Sequence, residues 1–136
     1  MQLPITGGCA CGAIRYECTV EPLMAVNCHC RDCQRASGSA YGSALWFPAD
    51  AVRVSSGRVK FFVKKSDTGN TVSRGFCADC GSPVLASNSN APMTIVYAAS
   101  LDDPGWHRPQ LDIFTSSAQP WDHMDPARPK YDRGLV

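Results

Sequence analysis

The sequence predicts an all-β domain of short antiparallel strands built around bound metal. Two observations lead there. Short alternating or apolar runs follow one another between turn residues, and cysteines are unusually crowded. The chain has 136 residues, 44% hydrophobic and 18% charged. That length supports one hydrophobic core, and that balance is ordinary for a globular domain.

The clearest strand is "IRYECTV", where Ile14, Tyr16, Cys18 and Val20 alternate with Arg15, Glu17 and Thr19. Period two marks a half-buried strand, and it puts Cys18 in the core. Further strands are expected at Ser43 to Phe47, Ala51 to Ser55, Val59 to Val63, Thr71 to Phe76, Pro83 to Ser87, Met93 to Ser100 and Leu111 to Phe114. Turn signals separate them: "SSG" at Ser55 to Gly57, "SDTGN" at Ser66 to Asn70, "SNSNAP" at Ser87 to Pro92 and "DDPG" at Asp102 to Gly105. One short helix fits Arg31 to Ser37, ended by Gly38. From Ser116 the chain is polar and proline-rich, an extended wrap or frayed end with Trp121 as its pin. The expected organisation is one domain over residues 1–121 and a tail over 122–136.

Net charge is +1, and no basic run exceeds Lys64-Lys65. A phosphate-tracking surface is not expected, so nucleic acid is not an expected partner. The aromatics Trp46, Phe47, Phe61 and Phe62 fit strand cores better than a base-stacking platform. No window approaches the roughly 18 apolar residues of a membrane span. The start, "MQLPITGGCACG", lacks the basic and apolar regions of a secretory signal. The expected setting is a reducing cytoplasm, with no membrane partner.

Eight cysteines are many for this length. Seven fall in tight groups: Cys9 with Cys11, Cys28 with Cys30 and Cys33, and Cys77 with Cys80. Near neighbours make strained disulfides but readily grip one ion, and the compartment argues the same way. Zinc holds thiolates at about 2.3 Å, which sets neighbouring sulfurs roughly 3.8 Å apart. A C-x-x-C turn reaches that spacing. C-x-C reaches it when both side chains leave one face of an extended segment. Gly12 after Cys11 and Gly81 after Cys80 let the chain turn sharply.

Seven ligands divide most naturally as four plus three. Four cysteines close a structural zinc site, and three leave one position for an exchangeable ligand. Spacing leaves a rival open, a ribbon joining Cys30 and Cys33 to Cys77 and Cys80, although the 43 residues between Cys33 and Cys77 exceed the usual ribbon spacing of about 15 to 20. His29, between Cys28 and Cys30, should point away from a shared ion, because successive side chains alternate faces. Cys33 lies in the first helical turn near Arg31 and Arg35, an environment that favours thiolates and anionic ligands.

Three segments, "GGCACGAIRYE", "NCHCRDCQRASGSAY" and "RGFCADCGSPV", together resemble the CENP-V/GFA family, the glutathione-dependent formaldehyde-activating enzymes. The resemblance runs in order from Gly7 to about Trp121. It implies a β-tent, a small all-β zinc fold. It implies two zinc ions per chain: a structural one on Cys9, Cys11, Cys77 and Cys80, and a catalytic one on Cys28, Cys30 and Cys33. It further implies formation or reversal of S-hydroxymethylglutathione from glutathione and formaldehyde, a carbon–sulfur lyase reaction. Arg31, Arg35 or Arg74 would then pair with glutathione carboxylates, and Gln34, Ser37 and Tyr41 would supply hydrogen bonds.

The sequence departs from the family pattern at Asp112 in "RPQLDIF", where a histidine is expected before "IF". Two readings follow: a zinc enzyme acting on an aldehyde adduct of glutathione or another small thiol, and a zinc-stabilised binding module without chemistry. A fourth protein ligand at the triplet, such as His29 or His107, would favour the module. Ligand type alone leaves zinc and iron open at that site.

Overall fold

The computed structural model describes residues 1–135. Ten strands and one α-helix form two sheets. A three-stranded sheet, in the order β1-β2-β5, contains β1 (Ile5–Gly8), β2 (Arg15–Cys18) and β5 (Val52–Ser56). A seven-stranded sheet runs in the order β10-β3-β4-β9-β8-β7-β6. Its members are β3 (Met24–Cys28), β4 (Gly42–Pro48), β6 (Val59–Lys65), β7 (Thr71–Cys77), β8 (Pro83–Asn88), β9 (Met93–Tyr97) and β10 (Leu111–Ile113). Neighbours are antiparallel except β10 and β3, which are parallel. The helix α1 (Arg31–Ser37) follows β3 directly.

The alternation in "IRYECTV" builds the main core. Ile14, Tyr16 and Cys18 are fully buried with Leu45, Phe47, Val84 and Val96 of the larger sheet. Burial alone pushes the Cys18 thiol up to about 12, as expected of a packing cysteine. The opposite face of the larger sheet carries a second cluster, Val26, Ala44, Leu111 and Ile113, with Trp46, Ile95 and Cys28 against it. The α1 helix and the triplet of cysteines stand on that face.

Several expectations need correction. The runs expected to end at Ser100 and Phe114 end earlier. Ala98–Ser100 form a 3-10 turn, and Phe114 adopts a left-handed φ of 54°. Ala51 belongs to a 3-10 turn before β5. Strands β1 and β3 carried no period-two signal. In β3, Ala25, Val26 and Asn27 are all buried, because neighbours cover both of its faces. Phe47 lies in the core, but Phe61 and Phe62 are 48% and 61% exposed, since β6 is an edge strand. Trp121 does not pin the tail, being 65% exposed.

Asp112 holds the tail instead. Its carboxylate is fully buried and accepts hydrogen bonds from His29 Nε2 at 2.8 Å, Arg128 Nε at 3.1 Å and Lys130 Nζ at 3.5 Å. Its backbone pairs with Pro129 and Tyr131, both at 3.0 Å. Burial alone would raise the Asp112 carboxyl, yet the hydrogen bonds from His29 and Arg128 hold it below its ordinary value.

Removing one partner from a buried charged cluster costs about 3–5 kcal/mol. Asp112→Ala should therefore lower the urea midpoint by an amount comparable to Phe47→Ala, about 3–5 kcal/mol from cavity formation. The two differ in pH dependence. A carboxyl lowered on folding contributes stability above its unfolded pKa and loses it as pH falls through the folded value. The deficit of Asp112→Ala should thus shrink in acid, and that of Phe47→Ala should not. Urea titrations at neutral and acidic pH read both.

Candidate metal centres

Two cysteine knots emerge from the fold, divided four and three. The first joins the β1–β2 turn to the β7–β8 turn. Cys9 and Cys11 Sγ are 3.6 Å apart, and Cys11 and Cys77 Sγ are 3.7 Å apart. These distances match sulfurs arranged round one tetrahedral ion. Each turn has the same construction. The Cys9 N–H donates to Ile14 O and the Cys77 N–H to Ser82 O, at 3.2 and 3.0 Å. Gly12 and Gly81 take φ of 80° and 77°, where a Cβ is disfavoured.

Backbone donors face the sulfurs of this knot. Ile14 N–H donates to Cys9 Sγ at 3.2 Å, and Asp79 N–H to Cys77 Sγ at 3.4 Å. Hydrogen bonds from the Ser82 side chain and backbone draw the Cys80 thiol down to about 5. Ala10 N–H donates to Ser82 Oγ at 3.0 Å, tying one turn to the other. All four ligand atoms lie within 4.8 Å of one another, and the rival ribbon pairing is thereby set aside.

The triplet forms where β3 ends and α1 begins. Cys28 is the last residue of β3, and Cys30 is the N-cap of α1, its sulfur accepting from Cys33 N–H at 3.3 Å. The helix brings Cys33 back over the pair, so that the three sulfurs lie within 4.8 Å of one another. Hydrogen bonds from Cys28 and Cys33 pull the Cys30 thiol well below its ordinary value, and those same contacts push Cys28 well above its own. The three thiols thus share their protons unequally through contacts with one another.

His29 turns away from the triplet, as alternation requires. Its Nε2 meets Asp112, and its Nδ1 lies 2.7 Å from Asp122 Oδ2, close enough for an ion pair but not aligned as a hydrogen bond. His107 is likewise committed elsewhere, 2.7 Å from Ser43 Oγ. Among the described residues, no His, Asp, Glu or further Cys joins the triplet.

The other expected site residues separate by position. Arg74 Nη2 is 3.8 Å from Cys33 Sγ, and Arg74 Nε is buried without a partner. Ser37 and Tyr41 line a cavity of about 680 Å³ beside the triplet. Gln34 is buried and donates to His29 O at 2.7 Å and Ser117 O at 3.0 Å, bracing the loop. Arg31 bonds Gln34, and Arg35 is exposed. Neither borders the cavity. Tyr97, Ser100 and the Arg15–Asp102 pair do border it, and the sequence carried no signal for them. Asp122 was equally silent.

A family model described as glutathione-dependent formaldehyde-activating enzyme matches residues 4–117. A curated protein of Penicillium rubens, named "Putative glutathione-dependent formaldehyde-activating enzyme", is 31% identical over 115 residues, covering 80% of this chain. The match spans 59% of that relative's length. A crystal structure of a Rhodobacter sphaeroides protein superposes with a TM-score of 0.60 at 20% identity, over 93% of this chain and 99% of that one. That likeness shows a shared fold. With the family model matching residues 4–117 and a relative 31% identical over 80% of the chain, the chain belongs to the glutathione-dependent formaldehyde-activating enzyme family.

Proposed function

We propose that this chain is a zinc-dependent carbon–sulfur lyase acting on the adduct of a small thiol and formaldehyde or a related aldehyde. The observation that carries this reading is a triplet of thiols with no fourth protein ligand among the described residues and a cation at its side. Family membership supports the reaction class.

Cys28, Cys30 and Cys33 would hold the catalytic zinc, and Cys9, Cys11, Cys77 and Cys80 a structural one. When bound at the triplet, zinc supplies a position at which a thiol is kept deprotonated. In adduct formation the thiol gives up its proton to water and the sulfur pair forms the C–S bond. The carbonyl π pair moves to oxygen, which takes a proton from water. The reverse sequence releases aldehyde and thiol.

The protein's part is orientation and charge. Arg74 stands against Cys33 with a guanidinium suited to the oxygen on which negative charge develops. Tyr97, whose hydroxyl burial pushes up to about 12, stays a neutral hydrogen-bond partner beside it. Gln34 fixes the His29 carbonyl, and the carboxylates of Asp112 and Asp122 fix the His29 ring. The residue between two ligands is thus immobilised. Ser37 and Tyr41 lie where the body of the thiol would rest.

Metal content separates the two knots. The purified chain should carry two zinc ions by elemental analysis. Cys30→Ser should lose one and keep its fold by circular dichroism, whereas Cys77→Ser should lose the other and unfold. Retention of two ions by Cys30→Ser, or an unfolded Cys30→Ser, would contradict the division of roles.

Arg74 has its own test. Arg74→Met should lower kcat for adduct formation by about 10²-fold, the scale for losing one preorganised charge-stabilising donor, with KM for the thiol nearly unchanged. Exchange spectroscopy of formaldehyde with thiol measures both. A rise in KM alone would make Arg74 a binding cation for a substrate carboxylate.

A further inference from the structure

Strand β6 ends the larger sheet on the side away from β10, with β7 as its one neighbour there. Its sequence is "VKFFVKK", and every residue from Lys60 to Lys65 is exposed. Register sorts these side chains into two faces. Phe61 lies opposite Gly75, and a Cβ on Gly75 would stand 3.0 Å from the Phe61 ring and 2.5 Å from Val59. Val59 packs against the main core, so Phe61, Val63 and Lys65 share that face. Phe62 lies opposite Arg74. Lys60, Phe62 and Lys64 therefore share the face that carries the triplet.

Two contacts tie this face of β6 and β7 to the triplet. Arg74 Nη2 is 3.8 Å from Cys33 Sγ. Lys64 Nζ donates at 2.6 Å to Asp32 Oδ1, on the residue before Cys33. Phe62 stands between these two anchors, its Cβ roughly 5 Å from that of Arg74. Tyr97 meets Arg74 from the β9 side, where the cavity lies. Phe62 meets it from the β6 side.

Lysines on an edge strand deter pairing with another sheet. That role gives no reason for a large ring between them, yet Phe62 is 61% exposed. An exposed apolar group beside a site is a seat for a ligand. The cations on this face are unequally engaged. Arg74 is held at Cys33 and Lys64 at Asp32. Lys60, about 7 Å along the strand from Phe62, makes no ion pair among the described residues. The strip thus offers an apolar surface next to a free positive charge, which complements a ligand arm that ends in an anion.

We infer that this face of β6 reads the body of the thiol: Phe62 seats one arm and Lys60 pairs with a carboxylate on it. A thiol whose sulfur lies in mid-chain has a second arm, which the cavity side of Arg74 receives at Ser37 and Tyr41. This rests on the proposal that the triplet takes a thiol at its open position, and it names the residues that select a carboxylate-bearing one.

Titration of the cobalt-substituted protein, followed through its visible thiolate bands, tests it with glutathione, glutathione diethyl ester and 2-mercaptoethanol. The ester keeps the body without the carboxylates, and mercaptoethanol lacks both. Lys60→Gln should raise the half-saturating glutathione concentration about fivefold at low salt, the scale of one exposed ion pair, and leave the other two thiols where they were. Phe62→Ala should weaken glutathione and its ester alike and spare mercaptoethanol. Raised salt should erase the Lys60 effect and keep that of Phe62. Lys65→Gln and Val63→Ala, on the opposite face of the same strand, should change none of the three. If those two weaken glutathione as much, the assignment to the triplet-side face is refuted. If either Lys60→Gln or Phe62→Ala leaves glutathione unchanged while mercaptoethanol still binds, the inference is refuted and the thiol site stands. If no thiol, mercaptoethanol included, changes the spectrum, the thiol reading falls and takes this inference with it.

Discussion

Sulfur crowding is the constraint on which the structure turns. Cys9, Cys11, Cys77 and Cys80 come from turns far apart in the chain, yet their ligand atoms lie within 4.8 Å. Ionised, four such groups repel one another unless a cation stands among them. The contact also does mechanical work. Cys9 and Cys11 follow β1 of the small sheet, while Cys77 ends β7 near the edge of the large one and Cys80 lies just beyond it. An ion held by all four would clamp the two sheets over the core of Tyr16, Phe47 and Val96. In a domain this small, a cross-link closing a loop of that length would remove much of the unfolded chain's freedom.

The triplet follows a different logic, set by the alternation of an extended backbone. Because Cys28 and Cys30 face one way, His29 must face the other. There the fold supplies Asp112 and Asp122, and through Asp112 it gathers Arg128 and Lys130 of the tail. One short segment therefore serves both the face on which the three thiols gather and the closure of the C-terminal wrap. The departure at Asp112 finds its physical place here: a carboxylate suits a position that faces an imidazole and two cations, where a second imidazole would add a donor among donors.

The sequence by itself determined the all-β class, the core role of Cys18, the short helix after Cys30 and the grouping of the seven other cysteines. These features are written locally: alternation with period two, turn residues, and ligands spaced for one ion. The outward turn of His29 was legible for the same reason. The strand β3 escaped because both its faces are covered, which erases alternation. The exposed Phe61 and Phe62 escaped because only sheet order reveals an edge strand. The meeting of the Cys9 and Cys77 turns was expected from the four-plus-three division and the family resemblance, and the fold bears it out; tertiary structure alone decided that Asp112 and Asp122 rather than Trp121 secure the tail and that Arg15 arrives at the cavity already neutralised by Asp102. Those contacts join residues far apart in the chain, and no local pattern encodes the direction in which a distant side chain will arrive.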